Sequence, residues 1–202
     1  MPKNGARIVG LGGSLAPSSV SLSALNIALE GAHEAGAETR LFDISSLDLP
    51  MYAPERKETP QSALTLSDAV YKADGLLWSS PMYHGTISGS FKNALDWLQL
   101  LADKKPPYLT NKVVGLISTA GGVQGLQAIN TMEFVVRSLR GWAAPLVMPI
   151  PKAWQVFDDK GQVSDARVEQ QLKDLGAEVA RASLQFKAEG FCDYSQEPVT
   201  TH

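Results

Sequence analysis

Residues 80–97 read Ser80-Pro81-Met82-Tyr83-His84-Gly85-Thr86-Ile87-Ser88-Gly89-Ser90-Phe91-Lys92-Asn93-Ala94-Leu95-Asp96-Trp97. An apolar run from Gly75 to Ser79 precedes this stretch, and an amphipathic pattern follows it. Strand, sharp Pro/Gly turn and helix in that order present backbone amides at the carboxyl edge of a parallel sheet. In open α/β sheets ligands bind at that edge, where the strand order reverses. A second turn of the same kind, Gly12-Gly13-Ser14, follows the first apolar run. Two such turns facing one crevice suit a nucleotide-like ligand better than a protein partner.

Working outward, short apolar runs alternate with helix-period segments, the pattern of βαβ units and a parallel sheet. Strands are expected near Arg7 to Leu11, Thr39 to Asp43, Gly75 to Ser79, Lys112 to Thr119 and Leu146 to Ile150. Leu22, Leu25, Leu29 and Ala32 share one helical face, with Gly36 beyond its end. Thr59-Pro60 predicts an N-cap with proline at the first helical position, opening a helix to about Lys72. Ile87, Phe91, Ala94, Leu95, Leu98 and Leu101 form the cleanest helical stripe. Leu126, Ile129, Met132, Val136 and Leu139 mark another helix. A last one, capped by Ser164, carries Val168, Leu172, Leu175, Val179 and Phe186. Strict alternation with right-handed crossovers predicts a three-layer α/β sandwich with a five-stranded parallel sheet of flavodoxin-like order 2-1-3-4-5.

At 202 residues the chain suits one domain, expected over 1–187, with a polar and mobile tail at 188–202. Residues 46–59 and 151–163 are the longest irregular stretches, the second carrying Trp154 and Phe157 in polar surroundings. A net charge of −3 without a basic face gives no reason to expect nucleic acid. No stretch approaches the roughly 18 to 20 apolar residues needed to span a bilayer, so no membrane role is expected. The N-terminus shows no signal-peptide core. Cys192 is the only cysteine, which excludes an intrachain disulfide and leads to a cytoplasmic expectation.

The first turn continues as Leu15-Ala16-Pro17-Ser18-Ser19-Val20-Ser21. Glycines permit positive φ, the following helix offers unpaired amides, and the serines add hydroxyl donors. Neutral donors converging on a dianion suit a phosphate monoester; serines that only cap a helix would read the same way. A Walker loop is absent, because no Gly-Lys-Ser/Thr follows, and the dinucleotide fingerprint fails where Leu15 replaces its third glycine. In the second turn, Pro81 fixes the entry angle and Gly85 allows close approach to a flat heteroaromatic ring. Chemistry alone favours a solvated loop role for His84, and Tyr83 reads equally as a rim residue. The third turn, Ser118-Thr119-Ala120-Gly121-Gly122-Val123-Gln124, is in isolation only a small-residue loop. No Gly-x-Ser-x-Gly elbow supports a hydrolase.

Taken together, the turns resemble those of the NAD(P)H-dependent FMN reductases of the flavodoxin-like superfamily. The phosphate-loop pattern Gly-Ser-x-x-x-x-Ser is matched by Gly13, Ser14 and Ser19. The more specific pattern Pro-x-Tyr-x-x-x-x-Ser-Gly-x-x-Lys-Asn-x-x-Asp is matched by Pro81, Tyr83, Ser88, Gly89, Lys92, Asn93 and Asp96. The resemblance implies that Ser14, Ser19 and Ser21 hold the FMN phosphate. It implies too that Pro81, Met82, Tyr83, His84 and Gly85 line the isoalloxazine edge, while Thr119, Ala120, Gly121 and Gly122 flank the ring and ribityl chain. Many members carry an arginine where Ala16 stands here, so neutralisation of the phosphate must differ in this chain. The implied activity is hydride transfer from NADPH or NADH to FMN N5, then electron delivery to a small-molecule acceptor such as a quinone, free flavin, azo compound or metal oxyanion. No acid/base residue is expected to be catalytic, because the cofactor carries the chemistry. An FMN electron carrier without pyridine-nucleotide activity and a flavin-free scaffold are the competing readings. Ser88, Gly89, Lys92, Asn93 and Asp96 are expected to be structural or dimer-forming, in a homodimer or homotetramer.

Overall fold

Gly75–Tyr83 forms the central strand of the sheet in the computed structural model, which describes residues 5–188. Leu76, Leu77 and Trp78 on this strand are fully buried, and successive side chains enter opposite cores. Leu76 and Trp78 join Val9, Leu11, Val114 and Leu116 on one face, while Leu77 joins Ile8, Val113 and Ile117 on the other. Burial on both faces explains why these segments read as continuous apolar runs rather than alternating ones.

The strands are β1 (Arg7–Gly12), β2 (Glu38–Asp43), β3 (Gly75–Tyr83), β4 (Thr86–Ile87), β5 (Val113–Thr119) and β6 (Trp142–Ile150). Five of them pair in parallel in the order β2-β1-β3-β5-β6, the flavodoxin-like order with a two-residue strand inserted in the numbering. That insertion, β4, pairs antiparallel with the end of β3 through Met82–Ile87 and Tyr83–Thr86. Helices α1 (Val20–Glu34) and α7 (Ala166–Ala188) cover one face. The other face holds α3 (Gln61–Lys72), α4 (Gly89–Asp96) and α5 (Leu126–Ser138). Two single-turn helices, α2 (Ile44–Leu47) and α6 (Ala153–Val156), interrupt the stretches read as irregular. The chain reverses direction across the sheet between β1 and β3, so their carboxyl ends frame a crevice.

Several boundaries differ from the sequence reading for identifiable reasons. Strand β6 starts at Trp142, not Leu146, because its register with β5 is broken between Val114 and Leu116, opposite the segment holding Pro145. Proline supplies no ladder donor, so the edge strand is split and its first half carries no clear pattern. Ile87 lies in β4, and the expected helix from it to Leu101 divides into α4 and a 3₁₀ turn, Trp97–Leu101. Pro60, not Thr59, occupies the N-cap of α3 and makes no side-chain cap bond. Asp165, just ahead of α7, accepts the Arg167 N–H at 2.9 Å through its carboxylate, while the Ser164 hydroxyl turns back to the carbonyl of Val156 at 3.0 Å. Of the tail expected from 188, Ala188 ends α7 and residues 189–202, including Cys192, lie outside the described residues.

Helices α1 and α7 meet backbone to backbone at two glycines. A Cβ on Gly176 would lie 1.8 Å from the Ala28 carbonyl oxygen, and one on Gly31 would lie 2.2 Å from that of Lys173. Neither obstacle is a flexible side-chain end, so the helices themselves would have to separate. Alanine normally favours a helix interior by about 1 kcal/mol over glycine. Here Gly176→Ala is expected to destabilise the protein by about 2 kcal/mol, in the range of overpacked cores. Urea unfolding checks this through a lower midpoint at unchanged slope; an alanine variant as stable as the parent would contradict the close approach.

Candidate functional site

Three loops leave the carboxyl ends of β1, β3 and β5 side by side, and hydroxyl groups knit them together. Gly13 takes φ +97° as the chain leaves β1, and its N–H bonds the Ser79 carbonyl at 3.3 Å. The Ser79 hydroxyl donates to the Ser21 carbonyl at 2.8 Å, tying β3 to the first turn of α1. The Ser21 and Thr119 hydroxyls share a short hydrogen bond, tying α1 to the end of β5. Ser21, Ser79 and Thr119 are all buried. Ser21 and Thr119 are both expected ligand contacts; the hydrogen bond between them occupies one hydroxyl proton and leaves the accepting hydroxyl with its own to donate.

The loop between β1 and α1 keeps a different donor set open. Ser19 caps α1, its oxygen accepting the Leu22 N–H at 3.3 Å, and Ser14 Oγ accepts the Ala16 N–H at 3.3 Å. A hydroxyl that accepts still has its own proton to donate. The N–H groups of Leu15, Ser18, Ser19, Val20 and Ser21 bond no other described residue. Amides at the start of a 15-residue helix carry the positive end of its dipole. No cation lies between Gly12 and Ser21, so this loop by itself meets an anion with neutral groups.

The second loop is a β-hairpin, and its turn lies later than the sequence reading placed it. His84 (φ 49°) and Gly85 (φ 83°) are its two central residues, and positive φ at both defines the tight hairpin turn that matches strand twist. Pro81 is buried within β3, Met82 is half-buried with its sulfur accepting the Gly85 N–H, and Tyr83 and His84 are exposed. Ser80 Oγ accepts the Ser88 N–H at 3.1 Å, and Ser88 Oγ caps α4 by accepting the Phe91 N–H at 3.2 Å. These two serines turn the hairpin into the helix.

In the third loop Ala120 is anchored, its N–H on the Ile150 carbonyl and its carbonyl on the Ala153 N–H. Gly121 and Gly122 are exposed, and a Cβ added to either would meet nothing within 4 Å. Ser118 Oγ closes the loop on the Gly125 carbonyl at 2.6 Å. The result is an open shelf of backbone beside the hairpin.

The rest of the specific motif is architecture. Asn93, buried in α4, donates to the carbonyls of Leu49 (3.3 Å) and Pro50 (3.0 Å) and accepts the Tyr52 N–H at 2.8 Å. Trp97 adds an indole N–H to Pro50 (2.9 Å) and packs edge-on against Tyr52. Together they fasten the segment after α2 to α4 and the 3₁₀ turn that follows it. Lys92 and Asp96 form an exposed ion pair one helical turn apart. Sequence reading missed Ser79, Ser80 and Trp97; their signal was hydroxyls closing apolar strands and a tryptophan ending the motif.

Among the described residues, no helix is long and apolar enough to cross a membrane, and no cluster of His, Cys, Asp and Glu could hold a metal. The family model described as NADPH-dependent FMN reductase matches residues 6–155. A protein named NADPH-dependent FMN reductase ArsH, from Acidithiobacillus ferrooxidans, is 33% identical over 149 residues, covering 74% of this chain and 61% of its own length. This chain therefore spans about three fifths of that relative. A protein named FMN-dependent NADPH-azoreductase, from Staphylococcus aureus, is 34% identical over 113 residues, 54% of this chain and 57% of that one. The structure of FerB, a flavoenzyme NAD(P)H:(acceptor) oxidoreductase from Paracoccus denitrificans, superposes with a TM-score of 0.70 at 20% identity, covering 91% of this chain and 98% of that one, which shows the shared fold. The matched region contains β1 to β6 and all three loops of the crevice, and on that match this chain belongs to the NADPH-dependent FMN reductase family.

Proposed function

We propose that this protein binds FMN across the crevice and uses it to carry reducing equivalents from NADPH or NADH to a small-molecule acceptor. The observation that carries this reading is the donor set between β1 and α1: unpaired amides and two serine hydroxyls in one loop, with the Asp43 carboxylate beside Gly13 turned to the Ser45 N–H and the Ser46 hydroxyl. Ser14 and Ser19 would donate their hydroxyl protons to the phosphate, and Ser21 its backbone N–H, together with its hydroxyl proton where Thr119 is the donor of their shared bond. The hairpin from Pro81 to Gly85 supplies backbone at one side of the crevice. The glycine shelf at Gly121 and Gly122 leaves room for a flat ring at the other. When bound, FMN supplies hydride acceptance at N5 and onward electron transfer. The chain's own part is to bind, to orient and to offer fixed dipoles to developing negative charge.

The acceptor class extends over quinones, free flavins, azo compounds and metal oxyanions. We assign the protein to the cytoplasm and to a homodimer or homotetramer; the exposed Phe134, Leu126 and Tyr83 are the apolar side chains that a second copy would cover. The test is an anaerobic stopped-flow mixing of FMN-loaded protein with NADPH, followed at the flavin band. Bleaching faster than that of free FMN is the expected result. Bound FMN that stays oxidised would replace the reductase with an electron carrier, and failure to bind FMN would overturn the site.

A further inference from the structure

A cleft of about 350 Å³ opens at the amino-terminal edge of the sheet, the edge opposite the crevice, among Arg7, Tyr71, Asp74, Pro106, Tyr108 and Lys112. Its volume falls in the range of small-ligand sites. Lys112 lies at its inner end. The ammonium donates to the carbonyls of Tyr71 (3.0 Å) and Ala73 (2.6 Å), which end α3. Two of its three protons are thereby used, and one remains for the cleft. Among the described residues, Arg7, Lys72, Lys112 and Lys187 stand here with Asp68 and Asp74, Lys104 lies over one face of the Tyr71 ring at 5.4 Å, and Glu38 and Arg40 lie beyond Arg7 and Lys72. Asp74 is shared, with Arg7 Nε at 3.7 Å and Lys187 Nζ at 3.2 Å on one oxygen. The cleft therefore holds surplus positive charge beside apolar ring surface. The tyrosine hydroxyls are spent on the protein itself, Tyr71 on the Lys105 carbonyl and Tyr108 on Gln99, so the rings present their bodies rather than their donors.

We propose that this cleft is a second ligand site, built for a small organic carboxylate with a flat apolar body. The carboxylate meets the Lys112 ammonium and the Arg7 guanidinium, and the body packs on Tyr71, Tyr108 and Pro106. Burial lowers the Lys112 pKa to about 8; Asp74 opposes the shift, and Arg7 adds a smaller push in the same direction as burial. A bound anion compensates that buried charge, so binding and protonation of Lys112 are coupled. The sign follows: binding is strong below pH 8 and fades as the amine loses its proton. If only the charged amine binds, the competent fraction drops from nearly all at pH 7 to a few per cent at pH 9.5, so affinity falls by about thirtyfold.

Calorimetric titration of the FMN-loaded protein with sodium benzoate at pH 7 and pH 9.5 tests this, with the flavin absorption band recorded alongside. Expected are saturable binding at pH 7 without a change in the flavin band, the about thirtyfold loss at pH 9.5, and no binding of neutral benzamide. Arg7→Gln, at a half-exposed position, should weaken benzoate at least tenfold and leave NADPH-dependent bleaching unchanged; Lys112→Met should abolish it. Absence of binding at pH 7, equal binding of benzamide, or binding that perturbs the flavin and ignores Arg7→Gln would each overturn the proposal. The site does not depend on the flavin reading: a protein that failed to take up FMN would still give the benzoate result in its flavin-free form.

Discussion

Replacing Ser19 by aspartate is expected to leave the protein folded and to remove its hold on FMN. Aspartate is as good an N-cap as serine, so the bond to the Leu22 N–H survives, and a carboxylate at the start of α1 is favoured by the helix dipole. Thermal stability should therefore be equal to the parent's or slightly higher. The same carboxylate would stand against the phosphate dianion, in a loop with no cation to offset it. Two like unit charges about 4 Å apart at an effective dielectric near 20 repel by roughly 4 kcal/mol. That corresponds to about a thousandfold loss of FMN affinity. Riboflavin, which lacks the phosphate, provides the internal control: its weaker binding should change by less than about threefold, well under 1 kcal/mol. Fluorescence titration of both flavins reads the result. Equal losses for the two would place the phosphate elsewhere, and unchanged FMN binding would refute the role of this loop.

The architecture was legible because burial on both sheet faces writes itself into sequence as runs such as Leu76-Leu77-Trp78 and Val113-Val114. Helix α4 was legible from its apolar stripe, in which Phe91, Ala94 and Leu95 recur at helical spacing and are buried. What escaped reading depends on partners distant in the chain. The hydrogen bond that positions Ser21 could not be read, because its partner Thr119 lies 98 residues away. Strand β4, two residues long, carries no periodicity at all; only the positive φ of His84 and Gly85 creates it. Pro145 hid half of β6 by the same property that breaks its ladder. Asn93 reads as structural or dimer-forming, and its bonds to residues 49–52 were invisible, because nothing local marks an amide that serves a loop more than 40 residues earlier.

That amide supports the second large effect. Asn93 is buried and satisfies three backbone groups of residues 49–52, two carbonyls through its nitrogen and one N–H through its oxygen. Asn93→Leu keeps the volume and removes all three bonds. Pro50 retains the Trp97 indole, whereas Leu49 and Tyr52 lose their partner, so the cost should be about 3 kcal/mol. Asn93→Asp separates the two halves of the interaction. Its carboxylate can still accept from Tyr52, but it turns negative oxygen toward the Leu49 and Pro50 carbonyls. At neutral pH this variant should be less stable than Asn93→Leu, because a buried charge facing dipoles of its own sign is worse than an absent bond. Burial and those carbonyls raise the folded-state pKa of the new carboxyl above its unfolded value. The folded state then binds more protons, so the deficit is greatest above the folded pKa and shrinks as pH falls through it. Once protonated, the carboxyl donates to one carbonyl and resembles the native amide. Urea unfolding of both variants from pH 8 to pH 4.5 should show the aspartate variant overtaking the leucine variant on acidification. Parallel curves for the two would mean that Asn93 acts through its volume alone.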